Sequence, residues 1–301
     1  MSITASVPGK LMLLGEHAVV YGYPCIVTAV DKYLSVTVRK TDKNHEEIIT
    51  PGVTDQSFVK GAIRIFKEKF AGKKSVYLTT KSELGNLGLG SSAAVTCATI
   101  KSLANLYQVK LTSEDLFNLA YKVILKVQGR ASGFDIAASI YGGTIYFDGK
   151  TKKTKLLSKR ELPLVVAFTG RKGNTREMIK KVYDLRKKKP EYVEQIFKDI
   201  TQLVKVGKEA VKTKNWEKLG FLMDKNQTLL ERLHITTPEI DNLILAVKHS
   251  GAYGVKISGA GGGDCIIAMT QINKLEGIKQ AIVDAGGKVV KIKVGVGKGV
   301  R

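Results

Sequence analysis

The 301-residue sequence lacks several features that mark special classes of protein. It has no run of about 18 apolar residues, and the opening MSITASVPGK has no basic head followed by an apolar stretch. We therefore expect a cytoplasmic protein without a membrane anchor. Cys25, Cys97 and Cys265 lie far apart among apolar neighbours, a pattern typical of reduced core thiols and not of a disulfide framework or a zinc site.

Acidic residues are also scarce. The sequence has 27 Asp and Glu against 49 Lys and Arg, which gives a formal net charge of +22. Such a surplus favours phosphorylated or polyanionic partners through long-range attraction. The basic runs at 151–160 and 186–189 lack the interleaved aromatic residues of a base-stacking surface. A solvated charged face explains them better than nucleic-acid binding.

Strand and helix patterns alternate in two halves of the chain, which predicts two α+β domains. A lysine-rich, turn-prone segment at 149–160 is the expected boundary, and it divides the chain into residues 1–155 and 156–301. Predicted strands lie at 24–39, 75–80, 143–148, 162–168, 254–258, 265–270 and 288–294. Predicted helices lie at 56–70, 113–127, 274–285 and 175–242, the last interrupted near 189–190 and 234–238.

A glycine-rich turn at 85–92 (GNLGLGSS) leads directly into an apolar, alanine-containing helix. Free backbone N–H groups at such a helix start can converge on an anion, and a phosphate is the natural ligand. A serine hydroxyl there can bind an oxygen or a magnesium ion. No Lys-Ser or Lys-Thr pair follows the glycines, so this is not a Walker A loop. A capped helix after a flexible turn would show the same pattern.

A second glycine run, SGAGGGD at 258–264, lies between two predicted strands. Four glycines within five positions exceed what turn geometry requires, so we expect close approach of this backbone to a ligand or to the first glycine loop. Near the N-terminus, PGKLMLLGEHAVVYG places Lys10, Glu16 and His17 around an apolar strand with glycines at its turns. Their joint spacing, more than any one of them, indicates a site.

Taken together, these segments resemble the GHMP kinase superfamily over nearly the whole chain. PGKLMLLGEHAVVYG, GLGSSAA and SGAGGGDC match the three family motifs in order. GNTREMI and MDKNQTLLERLHITTPEID further resemble the branch that phosphorylates mevalonate. The resemblance implies a ribosomal-S5-like N-terminal domain, a ferredoxin-like C-terminal domain, and ATP with Mg²⁺ in the cleft between them. It also implies transfer of the ATP γ-phosphoryl group to the 5-hydroxyl of mevalonate, and a homodimer is common in the family.

The resemblance also implies roles for individual residues. Asp135 in ASGFD matches the aspartate that orients or deprotonates the acceptor hydroxyl. Lys10 matches the lysine that assists this hydroxyl and the transferring phosphoryl group. Acceptor-side positions correspond to Glu16, His17 and Thr175. Positions expected to cradle the nucleotide are Asn86, Leu87, Gly88, Leu89, Gly90, Ser91 and Ser92, supported by Gly261 and Gly262, with Ser92 also at the metal.

The chain departs from the family pattern at its metal site. Many relatives have a magnesium-binding glutamate eleven residues before the aspartate, and here Ile124 occupies that position. Either Ser92, the nucleotide and water hold the ion, or an acid from elsewhere substitutes. The usual proline and one glycine of the second motif are replaced by Leu84 and Asn86.

The sequence leaves two interpretations of the acceptor open, mevalonate and phosphomevalonate. AVDKYLSVTV, SGFDIAAS and SGAGGGDC are closer to kinases whose substrate is phosphomevalonate, and the positive charge suits that substrate. GEHAVVYG, the Thr175 segment and NQTLLERL favour mevalonate. A basic RNA-binding protein with an S5-like fold is an alternative from another class, but electrostatic attraction explains lysines and not two phosphate cradles with Asp135.

Overall fold

The computed structural model describes residues 2–70 and 74–301 and contains two sheets with helices packed against them. Strands β1 to β10 span Ser2–Leu14, Cys25–Lys40, Glu47–Ile49, Val76–Ser82, Thr144–Phe147, Thr154–Ser158, Leu164–Phe168, Gly254–Ser258, Cys265–Met269 and Lys288–Val289. Helices α1 to α9 span Ser57–Phe70, Ser91–Leu106, Ser113–Gln128, Phe134–Tyr141, Thr175–Lys188, Pro190–Thr213, Trp216–Glu231, Pro238–His249 and Leu275–Asp284. Within these ranges, no helix is long and apolar enough to span a bilayer.

The first sheet centres on the long strand β2. Its order is β3-β4-β2-β5-β6, and β1 pairs with β2 in antiparallel register with Lys10 opposite Ala29. Leu34, Val36 and Val38 alternate along β2 with more exposed residues, so one face of the strand joins the core. Register shifts on β1 between Pro8 and Lys10, and between Met12 and Leu14, bend the strand where it reaches the glycine loops.

The second sheet is antiparallel with the order β10-β7-β9-β8. Numbered within this half of the chain, that order is 4-1-3-2, and helices connect β7 to β8 and β9 to β10. This is the ferredoxin-like arrangement expected of the second half. The predicted α+β fold class is confirmed.

The predicted boundary segment contains a strand. Residues 154–158 form β6, which pairs with β5 of the first sheet, where the lysine-rich pattern predicted only turns. The C-terminal end of the chain also returns to the first half, because Ser6 and Arg301 exchange backbone hydrogen bonds of 3.1 and 3.0 Å. The division into residues 1–155 and 156–301 stays a prediction.

Two other sequence predictions require correction. The helical stretch after residue 190 breaks at Lys214, which adopts a left-handed backbone with φ of 58°, and Asn215 then caps α7 by accepting from the Lys218 N–H. Of the predicted strand at 288–294, Lys288 and Val289 pair with β7, and the Val290 N–H donates to the Val166 carbonyl at 2.8 Å. The chain then leaves this sheet, because Val294 forms a bridge to Val30 of β2.

The three cysteines are buried and unpaired, as predicted. Burial raises the pKa of the Cys265 thiol to about 12 and the pKa of Cys25 well above its ordinary value. Thiols with raised pKa values stay protonated and unreactive at neutral pH. All three therefore belong to the core.

Candidate functional site

The first glycine loop enters α2 at Gly90, whose backbone is left-handed with φ of 82°. Within the described residues, no side chain caps this helix start, so the N–H groups of its first turn are available to an anion. Leu89 is buried and anchors the loop, because its carbonyl accepts the Lys10 backbone N–H at 2.9 Å. The loop is thereby fixed against β1 while its glycines stay at the surface.

Lys10 projects from β1 beneath this loop and is only 6% exposed. Its Nζ donates to the Gly88 carbonyl at 3.4 Å, and its alkyl stem packs against Gly90. A Cβ added at Gly90 would lie 3.0 Å from Lys10 Cε, so glycine at this position makes room for the lysine. The ammonium group therefore lies directly against the predicted phosphate cradle.

Asp135 lies in the first turn of α4, after Gly133 in a left-handed conformation. Its Oδ1 is 3.3 Å from Lys10 Nζ, and its side chain is 35% exposed. Among the described residues, Oδ1 has no hydrogen-bond partner. The side chain is therefore partly open to an acceptor. The structure thus brings Lys10, Asp135 and the first glycine loop together.

Glu16 follows β1 and is buried, with 1% of its surface exposed. It forms an ion pair with Lys256 of β8, which is completely buried and also donates to the Ile257 carbonyl. Burial raises the pKa of Glu16 and lowers that of Lys256, and each charge partly opposes the shift of the other. Sequence reasoning missed Lys256, although a lysine inside the apolar strand GVKIS is an unusual signal. Direct contact of Glu16 with an acceptor stays a prediction.

The Glu16–Lys256 pair predicts a large stability effect. Lys256→Met should lower the free energy of unfolding by about 3–5 kcal/mol, because it leaves the Glu16 charge buried without its partner. Urea unfolding at neutral pH measures the change. Adding Glu16→Gln to this variant should recover much of the loss. A single variant within about 1 kcal/mol of the wild type would show that the pair is not a buried ion pair.

His17 connects the N-terminal motif to the second glycine run. Its backbone is left-handed, with φ of 58°, and its Nε2–H donates to the Ala260 carbonyl at 2.8 Å. The ring is 5% exposed, and burial lowers its pKa from 6.5 to about 4 although the Ala260 carbonyl favours the protonated form. The imidazole is therefore neutral at neutral pH. Its contact with an acceptor stays a prediction.

Stability should depend on pH through His17. Below pH 6.5 His17 is protonated in the unfolded chain, but in the folded protein it stays neutral until about pH 4. The contribution of neutral His17 to the free energy of unfolding is therefore complete above pH 6.5 and falls as the pH drops toward 4. Between pH 6.5 and 4.5 the wild type should lose about 2–3 kcal/mol more than His17→Asn. Urea unfolding at both pH values tests this, and equal losses would contradict it. Asparagine tolerates the left-handed backbone.

The second glycine run packs mainly against its own half of the chain. The Gly262 N–H donates to the Ile235 carbonyl at 2.8 Å. A Cβ at Gly261 would lie 2.4 Å from that same carbonyl oxygen, and one at Gly262 would lie 3.0 Å from Met178 Sδ. These contacts require glycine for close packing. Their predicted part in nucleotide binding is therefore an indirect support of the loop, and it stays a prediction.

Helix α7 holds the strands under the site with its side chains, a role that sequence reasoning did not assign. Asn226 Oδ1 accepts the Gly15 N–H at 3.1 Å, and Gln227 Oε1 accepts the Ile257 N–H at 3.0 Å. Both side chains are completely buried. They therefore fix the backbone on either side of the Glu16–Lys256 pair.

Thr175 is exposed in the first turn of α5, after the capping residue Asn174. Two residues before it, Gly173 donates its N–H to Asp264 Oδ1 at 3.1 Å. Contact of Thr175 with an acceptor stays a prediction. Asp264 lies against the first glycine loop, and sequence reasoning gave it no role. Its signal was an acid at the end of a glycine run.

Few protein ligands are available for a metal. Ser92 lies in the first turn of α2. Ile124, at the position of the family's glutamate, is buried on α3. Among the described residues, no group of three His, Cys, Asp or Glu side chains could hold an ion. A magnesium ion here would therefore depend on the nucleotide for most of its ligands.

A glycine loop at a helix start, a buried lysine and a carboxylate at a second helix start lie together, an arrangement typical of phosphoryl-transfer proteins. Residues 57–143 match the family model for the GHMP kinases N terminal domain, and residues 208–288 match that for GHMP kinases C terminal. The chain belongs to the GHMP kinase family.

Within this family, the chain is similar to kinases of mevalonate and of phosphomevalonate. The chain is 35% identical to mevalonate kinase of Thermococcus sibiricus, with 98% of this chain and 96% of the relative covered. The Methanococcus jannaschii mevalonate kinase structure matches at 26% identity with a TM-score of 0.82, covering 97% and 98% of the two chains. The Streptococcus pneumoniae phosphomevalonate kinase structure has a TM-score of 0.83 and covers 98% and 99%, but at 20% identity it shows the fold alone.

Proposed function

We propose that this chain transfers the γ-phosphoryl group of ATP to the 5-hydroxyl of mevalonate, forming 5-phosphomevalonate and ADP. The observation that carries the proposal is the position of Lys10 Nζ, 3.3 Å from Asp135 Oδ1 and 3.4 Å from the Gly88 carbonyl. This position joins the nucleotide cradle to a carboxylate that an alcohol can reach. The names of the curated relatives support mevalonate as the acceptor.

Asp135 orients the acceptor hydroxyl and accepts its proton as the oxygen bonds to phosphorus, while the bond from phosphorus to the ADP oxygen breaks. Lys10 provides positive charge where negative charge develops on the transferring group. Its burial and packing against Gly90 hold it in place before substrates bind, so little reorganisation is needed during transfer.

The nucleotide of this family carries Mg²⁺, and the cradle fits such a complex. The first turn of α2 offers N–H groups that no side chain of the described residues caps. Ser92 would contribute a hydroxyl ligand of the hard oxygen type that magnesium prefers. When bound, the ion neutralises phosphate charge.

A phosphorylated acceptor is the second candidate. The net charge of +22 favours an anionic substrate, and the SGAGGGDC segment resembles kinases of phosphomevalonate. The common fold cannot separate these two acceptors.

An ADP-release assay over a panel of acceptors tests the proposed function. Mevalonate should support the highest kcat/KM, and phosphomevalonate, homoserine and galactose should be poor substrates. Activity with phosphomevalonate alone would reject mevalonate as the acceptor and support the second candidate. No ADP release above the rate without acceptor, for all four compounds, would reject both.

A homodimer and a cytoplasmic location rest on the family resemblance and on sequence features. Both stay predictions. Analytical ultracentrifugation of the full chain would measure its oligomeric state.

A further inference from the structure

Asp264 occupies an unusual position at the end of the second glycine run. It is a non-glycine residue with φ of +60°, a conformation that occurs mostly with glycine, asparagine and aspartate. Its N–H donates to the Arg171 carbonyl at 2.8 Å, and its own carbonyl accepts the Thr169 N–H at 2.9 Å. Two backbone hydrogen bonds to the segment before α5 thus fix where its carboxylate points.

The Asp264 carboxylate lies against the first glycine loop. Oδ1 accepts the Gly173 N–H at 3.1 Å. Oδ2 lies 2.7 Å from the place where a Cβ on Gly88 would be, so only glycine at 88 permits this approach. On its carbonyl, Gly88 also accepts from Lys10 Nζ at 3.4 Å. One residue of the predicted phosphate cradle therefore contacts both an ammonium group and a carboxylate.

A carboxylate beside a phosphate cradle needs a physical explanation. Asp264 is half-buried, and burial raises the pKa of its carboxyl, while the Gly173 N–H and the charges of Lys10 and Lys172 lower it. Burial is the largest of these effects, so the pKa of the carboxyl lies above its ordinary value. A negative charge at this place repels a triphosphate unless a cation lies between them. Magnesium is commonly held by one or two carboxylates together with nucleotide phosphates and water.

Residue 124, where the resembled family has its metal-binding acid, cannot supply a metal ligand in this chain. Ile124 is an apolar, buried residue of α3. Asp135, the other acid beside Lys10, faces the acceptor in the proposed function. The Asp264 carboxylate, by contrast, lies against Gly88 of the first glycine loop.

We propose that Asp264 binds the divalent cation of the bound nucleotide, together with Ser92, and replaces an acid at position 124. The proposal rests on the nucleotide site of the proposed function and is independent of which acceptor is used. Its ligand class is a hard divalent cation, Mg²⁺ or Mn²⁺, held between the Asp264 carboxylate and nucleotide phosphates. Water completes the coordination.

Two variants remove the charge while preserving the loop. Asp264→Asn keeps an oxygen that can accept the Gly173 N–H, and asparagine tolerates the left-handed backbone. Asp264→Gly removes the whole side chain at a φ that glycine adopts without strain. Asp224→Asn is the matched control, because Asp224 Oδ1 accepts the Val255 N–H at 2.8 Å near the start of β8, at the other end of that strand from the glycine run. Thermal unfolding verifies that each variant is folded.

Isothermal titration calorimetry of ATP, with excess Mg²⁺ or with EDTA, provides a readout that needs no turnover. In wild type and Asp224→Asn, Mg²⁺ should tighten ATP binding. In both Asp264 variants this gain should shrink by about 10- to 100-fold, the usual range for loss of a metal-site partner, while ATP in EDTA binds as well or better. Mn²⁺ paramagnetic resonance on the ADP complex should show a matching loss of Mn²⁺ affinity.

The inference would be overturned if Mg²⁺ tightened ATP binding in both Asp264 variants by a factor within about twofold of that in Asp224→Asn. A twofold difference corresponds to less than about half a kcal/mol. That outcome would leave the proposed function intact. Wild-type protein that binds no ATP with or without Mg²⁺ would instead reject the nucleotide site, and with it the proposed function. If Asp264→Asn does not fold, Asp264→Gly decides by the same comparison.

Discussion

Asp135→Asn should lower kcat for mevalonate phosphorylation by about 10²- to 10⁴-fold, the range for loss of a positioned general base. The amide keeps nearly the same size but cannot accept the hydroxyl proton. It also loses the charge that pairs with Lys10 Nζ at 3.3 Å. ATP affinity should change little, because the glycine loop and α2 hold the nucleotide. Steady-state kinetics gives kcat, and calorimetric titration gives the ATP affinity.

Asp148→Asn is a suitable control for this experiment. Asp148 stabilises the turn after β5 by accepting the Lys150 and Thr151 N–H groups, so its amide variant should retain wild-type kcat. An Asp135→Asn enzyme with kcat within about tenfold of the wild type would mean that another carboxylate serves as the base. A parallel loss of ATP binding would instead indicate a structural role for Asp135.

Lys10→Met should lower kcat by about 10²- to 10³-fold, similar to the loss of one electrostatic donor at a transition state. Methionine can fill the space of the buried stem but leaves both Asp135 and the Gly88 carbonyl without the ammonium group. Lys10→Arg should not restore activity, because the stem already lies at contact distance from Gly90 and a planar guanidinium group needs more room. Measured kcat and kcat/KM for both substrates test these expectations.

The control for Lys10 is Lys293→Met, since the Lys293 side chain is exposed and forms a distant surface ion pair of 3.9 Å with Glu161. Because Lys10 and Asp135 act on one reacting group, the double variant should be little worse than the poorer single variant. Fully multiplicative losses would contradict a joint role. So would wild-type activity in Lys10→Arg.

The sequence was most informative where chemistry depends on short motifs. Gly90 at a helix start, Lys10 and Asp135 were each recognisable from local pattern or from family resemblance, and the structure places Lys10 in contact with both of the others. The 4-1-3-2 sheet followed from the same resemblance. Local signals also placed the helix interruptions at 189–190 and 234–238, because proline and loop residues act on their immediate neighbours.

Features that depend on distant partners could not be predicted in the same way. Lys256 stands out within an apolar strand, but its pairing with Glu16 follows from packing of β8 beside the end of β1. The register of β6 on β5 likewise depends on the sheet and not on its lysine-rich sequence. Asp264 is visible in the sequence as an acid that ends a glycine run, but its contacts are with Gly88 and Gly173 in other parts of the chain.

A crystal structure of the protein with a non-hydrolysable ATP analogue, Mg²⁺ and mevalonate would test the central claim most directly. The terminal phosphate should contact the backbone at Gly88–Ser92, and the 5-hydroxyl oxygen should lie about 2.6–3.2 Å from an Asp135 carboxylate oxygen. A nucleotide bound away from the start of α2, or a closed ternary complex whose 5-hydroxyl faces a different acid, would contradict it.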